Sequence, residues 1–223
     1  SIAARTYAIF KIQQGKQLLG DSRDQVYIGS DHNTEQAMDA VHATRGLVLS
    51  EGGVIFSSFF HSNCGGGTAN SFEADFSKTK LGALTGSADP QCGDVYQRWT
   101  RTVPVERLDK LSAEFKLGDT LQALNTVSKD KFQRRLAMRL QGANGHHDLA
   151  GEFVRGRLDL PSMIWHALVL NRDGSITITG SGNGHGVGLC QVGAMRKAKQ
   201  GLDYTAILQH YYPGAEVESL TAN

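Results

Sequence analysis

Residues 180–191 read Gly-Ser-Gly-Asn-Gly-His-Gly-Val-Gly-Leu-Cys-Gln, with a glycine at every second position from Gly180 to Gly188. Glycine gives up the most backbone entropy on folding, so this density requires positive φ or a close approach to the chain. The run strips away side chains and leaves His185 and Gln191 as its polar reagents. A histidine between two glycines is not shielded by its neighbours, which suits a proton carrier or a donor to a substrate oxygen. The same ring could equally bond loop carbonyls and hold the turn. Gln191 can donate to and accept from a sugar or amide, or it can cap the next helix. That helix N-terminus offers N–H groups to an anion. The spacing is not that of a phosphate-binding loop, however, and no lysine lies in it.

A second cluster, His61-Ser62-Asn63-Cys64-Gly65-Gly66-Gly67-Thr68, follows a strand-like segment. His61, Cys64 and Cys92 could ligate a metal, but zinc takes four ligands and the spacing offers no fourth, so no metal or cofactor is expected. The three cysteines, Cys64, Cys92 and Cys190, form no CxxC pair. Cys64 and Cys92 lie in loop-like sequence and are the candidates for a disulfide; otherwise all three are reduced core thiols. A Cys190–His185 nucleophile pair fails, because a five-residue glycine loop does not fix a base against a thiol and no orienting Asn or Asp is evident. Arg5 is either a partner for a carboxylate or sugar, or a surface charge. Glu73 and Asp75 read as solvated loop charges.

The elements that must position these groups are legible from periodicity and caps. Residues 1–12 read as an alanine-rich helix. Asn33 or Thr34 caps a second, with Ala37, Ala40, Val41 and Thr44 on one face and Gly46 as its stop. Leu47–Ser50 and Val54–Phe60 form a hairpin across Glu51-Gly52-Gly53. A long loop runs from His61 to about Gln97, and Val105–Leu117 shows helical spacing up to Gly118. Strand-like segments follow at Thr120–Val127 and Arg134–Leu140. His146 and His147 read as an exposed turn, and a short helix lies near Leu149–Leu158. A second hairpin joins His166–Leu170 to Ser175–Thr179 through Asn171-Arg172-Asp173-Gly174. Two helices close the chain, one from Leu189 to Lys199 and one capped by Asp203. Strands and helices mix without strict βαβ alternation, so the class is α+β. The 223 residues read as one compact domain with antiparallel hairpins around a cleft.

Composition excludes some partners. Net charge is only +1 and no basic patch interleaves with aromatics, which argues against nucleic acid. The apolar runs are too short to cross a bilayer. Twenty-six glycines against four prolines speak for many turns without disordered linkers.

Six motifs occur in order: Ala3-Ala4-Arg5-Thr6-Tyr7-Ala8; Gln25-Val26-Tyr27-Ile28-Gly29; Ala40-Val41 with Thr44-Arg45-Gly46; Phe60-His61-Ser62 with Gly65-Gly66-Gly67-Thr68; Gly184-His185-Gly186-Val187-Gly188 with Gln191, Gly193 and Ala194; and His210-Tyr211-Tyr212-Pro213-Gly214. This series resembles the SpoIID/LytB family of sporulation peptidoglycan hydrolases and amidase enhancers over nearly the whole chain. The resemblance implies a lytic transglycosylase that cleaves denuded peptidoglycan strands outside the cytoplasm, leaving anhydro-muramyl ends. Its alternative is a non-catalytic glycan-binding module that enhances a cell-wall amidase. It assigns Arg5, His185 and Gln191 to catalytic support. It assigns Tyr7, His61, Ser62, Thr68, Gly186 and Gly188 to substrate binding. The family's general-acid Glu precedes the Ala-Ala-Arg-Thr helix in a Glu-Met-Pro-type segment, so the acid, and any membrane anchor, is expected upstream of Ser1 on a segment missing from this chain. Some sporulation members bind zinc through cysteines just before the Gln-Val-Tyr motif; Gly20–Asp24 contains none, and that site is not carried over. Cys190 stands where many relatives have serine, which implies a packing role.

Overall fold

The computed structural model describes residues 1–21, 24–25, 34–92 and 98–220. Asn33, most of the Gln25–Gly29 motif and the end of the long loop fall outside them. The elements are α1 (Ile2–Gln13), α2 (Glu35–Ala43), β1 (Leu47–Glu51), β2 (Val54–Ile55), β3 (Phe60–His61), β4 (Arg98–Val103), α3 (Val105–Glu114), β5 (Leu121–Lys129), β6 (Arg135–Gly142), β7 (Gly145–Ala150), α4 (Gly151–Leu158), β8 (Ile164–Leu170), β9 (Ile176–Ser181), β10 (Leu189–Cys190), α5 (Gln191–Lys199), α6 (Tyr204–Tyr211) and β11 (Glu216–Ser219). The mixture is α+β, with strands β11-β1-β2, β4-β9-β8 and β5-β6-β7 forming antiparallel sheets and β10-β3 a short parallel pair. No helix among the described residues is long and apolar enough to cross a membrane.

Local chemistry accounts for most boundaries. Thr34 caps α2 by accepting from the Ala37 amide, and Asp203 caps α6 by accepting from Ala206. Along β9 the burial alternates, with Ile176, Ile178 and Gly180 inside, the period of a half-buried strand. Met138 and Leu140 do the same on β6.

The buried apolar residues gather into two clusters. The first packs α1, β1 and α6 through Ile2, Leu49, Phe56, Val187, Tyr211 and Tyr212. The second packs α3, α4 and the two larger sheets through Val103, Leu111, Met138, Val154, Trp165 and Ile178. Single backbone bridges link the loops around them: Asn63 with Asn183, Ala69 with Val187, and Arg134 with Ile164.

Several expectations shift. Only Val54–Ile55 pairs with β1; the chain then leaves the hairpin, and Phe60–His61 pairs in parallel with Leu189–Cys190. The reason is competition for the backbone. Phe59 O accepts from Leu189 N and Tyr212 OH, and Ser58 Oγ donates to Ala3 O. Leu189 and Cys190 therefore belong to a strand, and the helix starts at Gln191. Helix α2 ends at Ala43 with Thr44 as its cap, whose hydroxyl donates to Ala40 O, and Gly46 (φ +76°) carries the turn into β1. Helix α3 stops at Glu114, three residues short of the expected Leu117, with Lys116 in the left-handed region beyond it. His146 and His147 lie on β7, still exposed, with His147 stacked on Phe115. Strands β4, β7 and β11 have no clear sequence signal; each is held by a neighbour rather than by its own pattern.

Candidate functional site

The glycine run is pressed between two surfaces, which is what its composition is for. At Gly188 φ is +70°, and a Cβ would lie 2.0 Å from Phe59 O. At Gly186 a Cβ would lie 2.2 Å from the guanidinium carbon of Arg134. No other residue type fits either position without displacing backbone or a buried charge.

His185 is held within this sandwich. Its Nδ1 accepts from Val187 N at 3.1 Å, which fixes the proton on Nε2, and Nε2 donates to Phe60 O at 3.1 Å. The ring packs against Phe76 (4.9 Å between centroids) and His61 (5.3 Å). Burial, then the positive charges of Arg155 and Arg134, push its pKa down to about 3 against the bond to Phe60 O. The imidazole is neutral, and both nitrogens are committed to backbone. Of the two roles open to this residue, the geometry supports the one that holds the turn.

The other anticipated residues divide in the same way. Buried His61 donates from Nδ1 to Val187 O, and its Nε2 is buried without a protein partner. Burial, His185 and Arg134 hold it well below the usual imidazole range. Thr68 Oγ1 accepts from Ser87 N at 2.8 Å, and Ser62 O accepts from Val192 N at 3.0 Å. Both tie loops together. Tyr7 donates to Asp24 at 2.7 Å, and burial together with that carboxylate pushes its phenol up. Arg5 Nη1 donates to Thr44 O (2.6 Å) and Leu47 O (2.8 Å), pinning α1 against the α2–β1 connection.

Gln191 differs. It is exposed at the start of α5 and borders an open groove of about 340 Å³, together with Ser1, Ala4, Thr44, Phe60 and Tyr204. Gln191, Thr44 and Tyr204 line it together with small and apolar residues such as Ala3, Ala40, Leu189 and Ile207. His185 stands behind this wall, since the Phe60 carbonyl it holds belongs to a groove residue. Of the nine residues expected to support catalysis or bind substrate, only Gln191 lines the groove itself.

A separate group lies beneath the β3–β10 pair. Cys64, Asp89, Cys92 and Cys190 are all buried, and their ligand atoms lie within 4.8 Å of one another. Cys92 Sγ is 3.1 Å from Cys190 Sγ, and Cys64 Sγ is 3.6 Å from Asp89 Oδ2. All three cysteines are free thiols, and Cys190 rather than Cys64 makes the close sulfur contact with Cys92. Lys197 Nζ bonds Asp89 Oδ1 at 2.7 Å, and Tyr211 OH donates to Asp89 Oδ2. Hydrogen bonds from Cys190 and Cys64 draw the Cys92 thiol down against burial, while Cys64 is pushed up by the same contacts. His61, grouped with these cysteines on sequence grounds, is not in the cluster: its ring faces His185.

Sequence reasoning missed Asp89, Arg134, Lys197 and Tyr211. The one available signal was Asp89-Pro90-Gln91-Cys92, an acid and a thiol held three apart by a proline turn.

The family model described as stage II sporulation protein matches residues 1–50. The chain is similar to an uncharacterized protein of Brachyspira hyodysenteriae, 29% identical over 226 residues, covering 97% of this chain and 59% of that protein. It is 32% identical over 211 residues to the stage II sporulation protein D of Bacillus amyloliquefaciens, covering 85% and 53%. The amidase enhancer of Bacillus subtilis is 27% identical over 270 residues, covering 98% of this chain and 37% of that protein. The chain thus spans little more than half the length of the first two relatives.

Proposed function

Because this chain belongs to the SpoIID/LytB family, we propose that it acts on the bacterial cell wall as part of a peptidoglycan lytic transglycosylase working outside the cytoplasm. The groove bordered by Gln191 and the first turn of α1 is the observation that carries this reading. A non-hydrolytic cut needs one carboxylic acid. It protonates the glycosidic oxygen, then as carboxylate takes the proton from the muramic C6 hydroxyl, which closes the anhydro ring. In this reading the acid is a Glu on sequence that precedes α1 in the parent protein, entering the groove beside Ser1. Gln191 hydrogen-bonds the sugar, and His185 acts as a positioning residue that keeps the Phe60 wall in place. Arg5 and Tyr7 serve by anchoring α1 to α2, β1 and Asp24, which fixes one side of the groove.

A second reading has its own support. Among the described residues none that borders the groove is an Asp or Glu, and one relative is named an amidase enhancer. On this reading the groove grips glycan and presents it to a separate cell-wall amidase, without cutting.

Digestion of denuded glycan strands by the full-length parent protein, read by mass spectrometry, separates the two. Anhydro-muramyl ends support the transglycosylase. Binding without cleavage, together with stimulation of an added amidase, supports the enhancer. Gln191→Ala is exposed and is expected to preserve the fold while weakening glycan binding about tenfold, the loss of roughly one hydrogen bond. Unchanged binding in that variant would remove the groove from the function.

A further inference from the structure

We propose that Cys64, Cys92 and Cys190, with Asp89, form a structural zinc site. Their ligand atoms converge within 4.8 Å from three segments far apart in sequence: the turn after β3, the turn before β4, and the end of β10. Relative exposure is 0% for Cys64, Asp89 and Cys190 and 4% for Cys92, so water has no access to complete a coordination sphere. Three sulfurs and one carboxylate oxygen fill a tetrahedron, which makes the site closed and structural rather than catalytic. Thiolate-rich sets of this kind select zinc over magnesium or calcium.

The surroundings are those a metal-bound set requires. Cys190 Sγ accepts two backbone N–H groups, from Cys64 at 3.2 Å and Gly193 at 3.3 Å, which stabilise charge on that sulfur. Lys197 and Tyr211 orient the Asp89 carboxylate through hydrogen bonds to its two oxygens. Gly193 is required here, because a Cβ would lie 2.0 Å from both Asp89 Oδ2 and Tyr211 OH. Three thiolates and a carboxylate bring a charge of about −4; zinc supplies +2 and Lys197 +1, leaving a small residue for the amides to offset.

A disulfide is the competing arrangement. The Cys92–Cys190 separation of 3.1 Å lies between a bonded pair, at about 2.0 Å, and two sulfurs on one zinc, at about 3.8 Å. A bridge would use two of the three sulfurs and leave the Cys64 thiol outside it, bonded to the Asp89 carboxylate. Zinc uses all four. Its consequence reaches the groove, because Leu189 and Gln191, on either side of Cys190, both border it. The site does not depend on the glycan reading.

The test is elemental analysis of the purified chain, a count of alkylatable thiols after denaturation in chelator, and titration with Co²⁺ alone. The expected result is one zinc per chain, three thiols, and a Co²⁺ form showing sulfur-to-cobalt charge transfer with tetrahedral d–d bands. Cys92→Ser is expected to abolish uptake. Since that variant could also fail to fold, Tyr211→Phe provides the second measurement, with metal affinity lowered about 10–100-fold. One thiol and a mass lower by a pair of hydrogens would establish the disulfide and overturn the proposal. Three thiols with no zinc and no cobalt uptake would overturn it as well.

Discussion

Replacing Arg134 by methionine tests how the two hydrophobic clusters are held together. Arg134 is 3% exposed and immediately precedes β6, of the second cluster's sheet, yet its guanidinium reaches into the loops of the first. Nη2 donates to Cys64 O at 2.8 Å, and Nη1 to Gly67 O at 3.3 Å and Asp130 Oδ2 at 3.2 Å. Gly186 lies flat against the same group. Methionine keeps much of the apolar stem but leaves two carbonyls and a buried carboxylate without their cationic donor. Breaking a buried pair by removing one partner costs about 3–5 kcal/mol, a large share of the roughly 5–15 kcal/mol available to a domain. Urea denaturation is the assay. With m near about 2–3 kcal/mol/M, the midpoint should fall by about 1–2.5 M at constant m. The double variant Asp130→Asn/Arg134→Met removes the stranded charge and should recover at least about 1 kcal/mol. A loss below about 1 kcal/mol in the single variant, or no recovery in the double, would refute the assignment of Arg134 as the staple.

Two further outcomes follow from the same packing. His185 and His61 are held neutral below the usual imidazole value of 6.5, so from pH 6.5 downwards only the unfolded chain takes up their protons. For His185 the resulting stability is fully present above about pH 6.5 and drains as pH falls towards 3, by up to about 1.4 kcal/mol per pH unit, and His61 acts in the same direction. Urea curves at pH 7 and pH 5 should differ by about 2 kcal/mol from His185 alone, with His61 adding in the same direction; a flat profile would place these rings in water. Gly188→Ala combines a φ of +70° with a clash on Phe59 O and should cost more than about 3 kcal/mol. Gly214→Ala, with φ +81° but nothing within 4 Å of the new Cβ, should cost about 1–2 kcal/mol. Equal melting shifts in the two variants would show that the glycine run is not closely packed.

Legibility in the sequence followed the range of the interactions. Thr34 and Asp203 announce their helices because a cap bonds an amide only a few residues away. The Ser175–Thr179 strand and its Asn-Arg-Asp-Gly turn are equally local, and the turn closes with Gly174 N on Asn171 O. Strand β4 gave no such signal, because its alternation is weak and its place is secured by pairing with β9, some 78 residues away. The switch of Phe60–His61 into a parallel pair was hidden for the same reason: its partner is Leu189–Cys190.

The candidate site shows the division most sharply. Sequence alone indicated that residues 180–191 need positive φ or a close approach to other chain, singled out His185 and Gln191 as the polar groups of that run with their roles open, and supplied a motif series that resembles the SpoIID/LytB family. Only the tertiary structure decided what each side chain does. It turned His185 inwards to Val187 and Phe60, left Gln191 on an open groove, gave Arg5 two carbonyls to hold, and gathered Cys64, Cys92 and Cys190 around Asp89. The physical reason is that a polar group's role is set by the donor, acceptor or charge that arrives opposite it. In this chain the decisive partners of the cysteines lie 25 to 126 residues away.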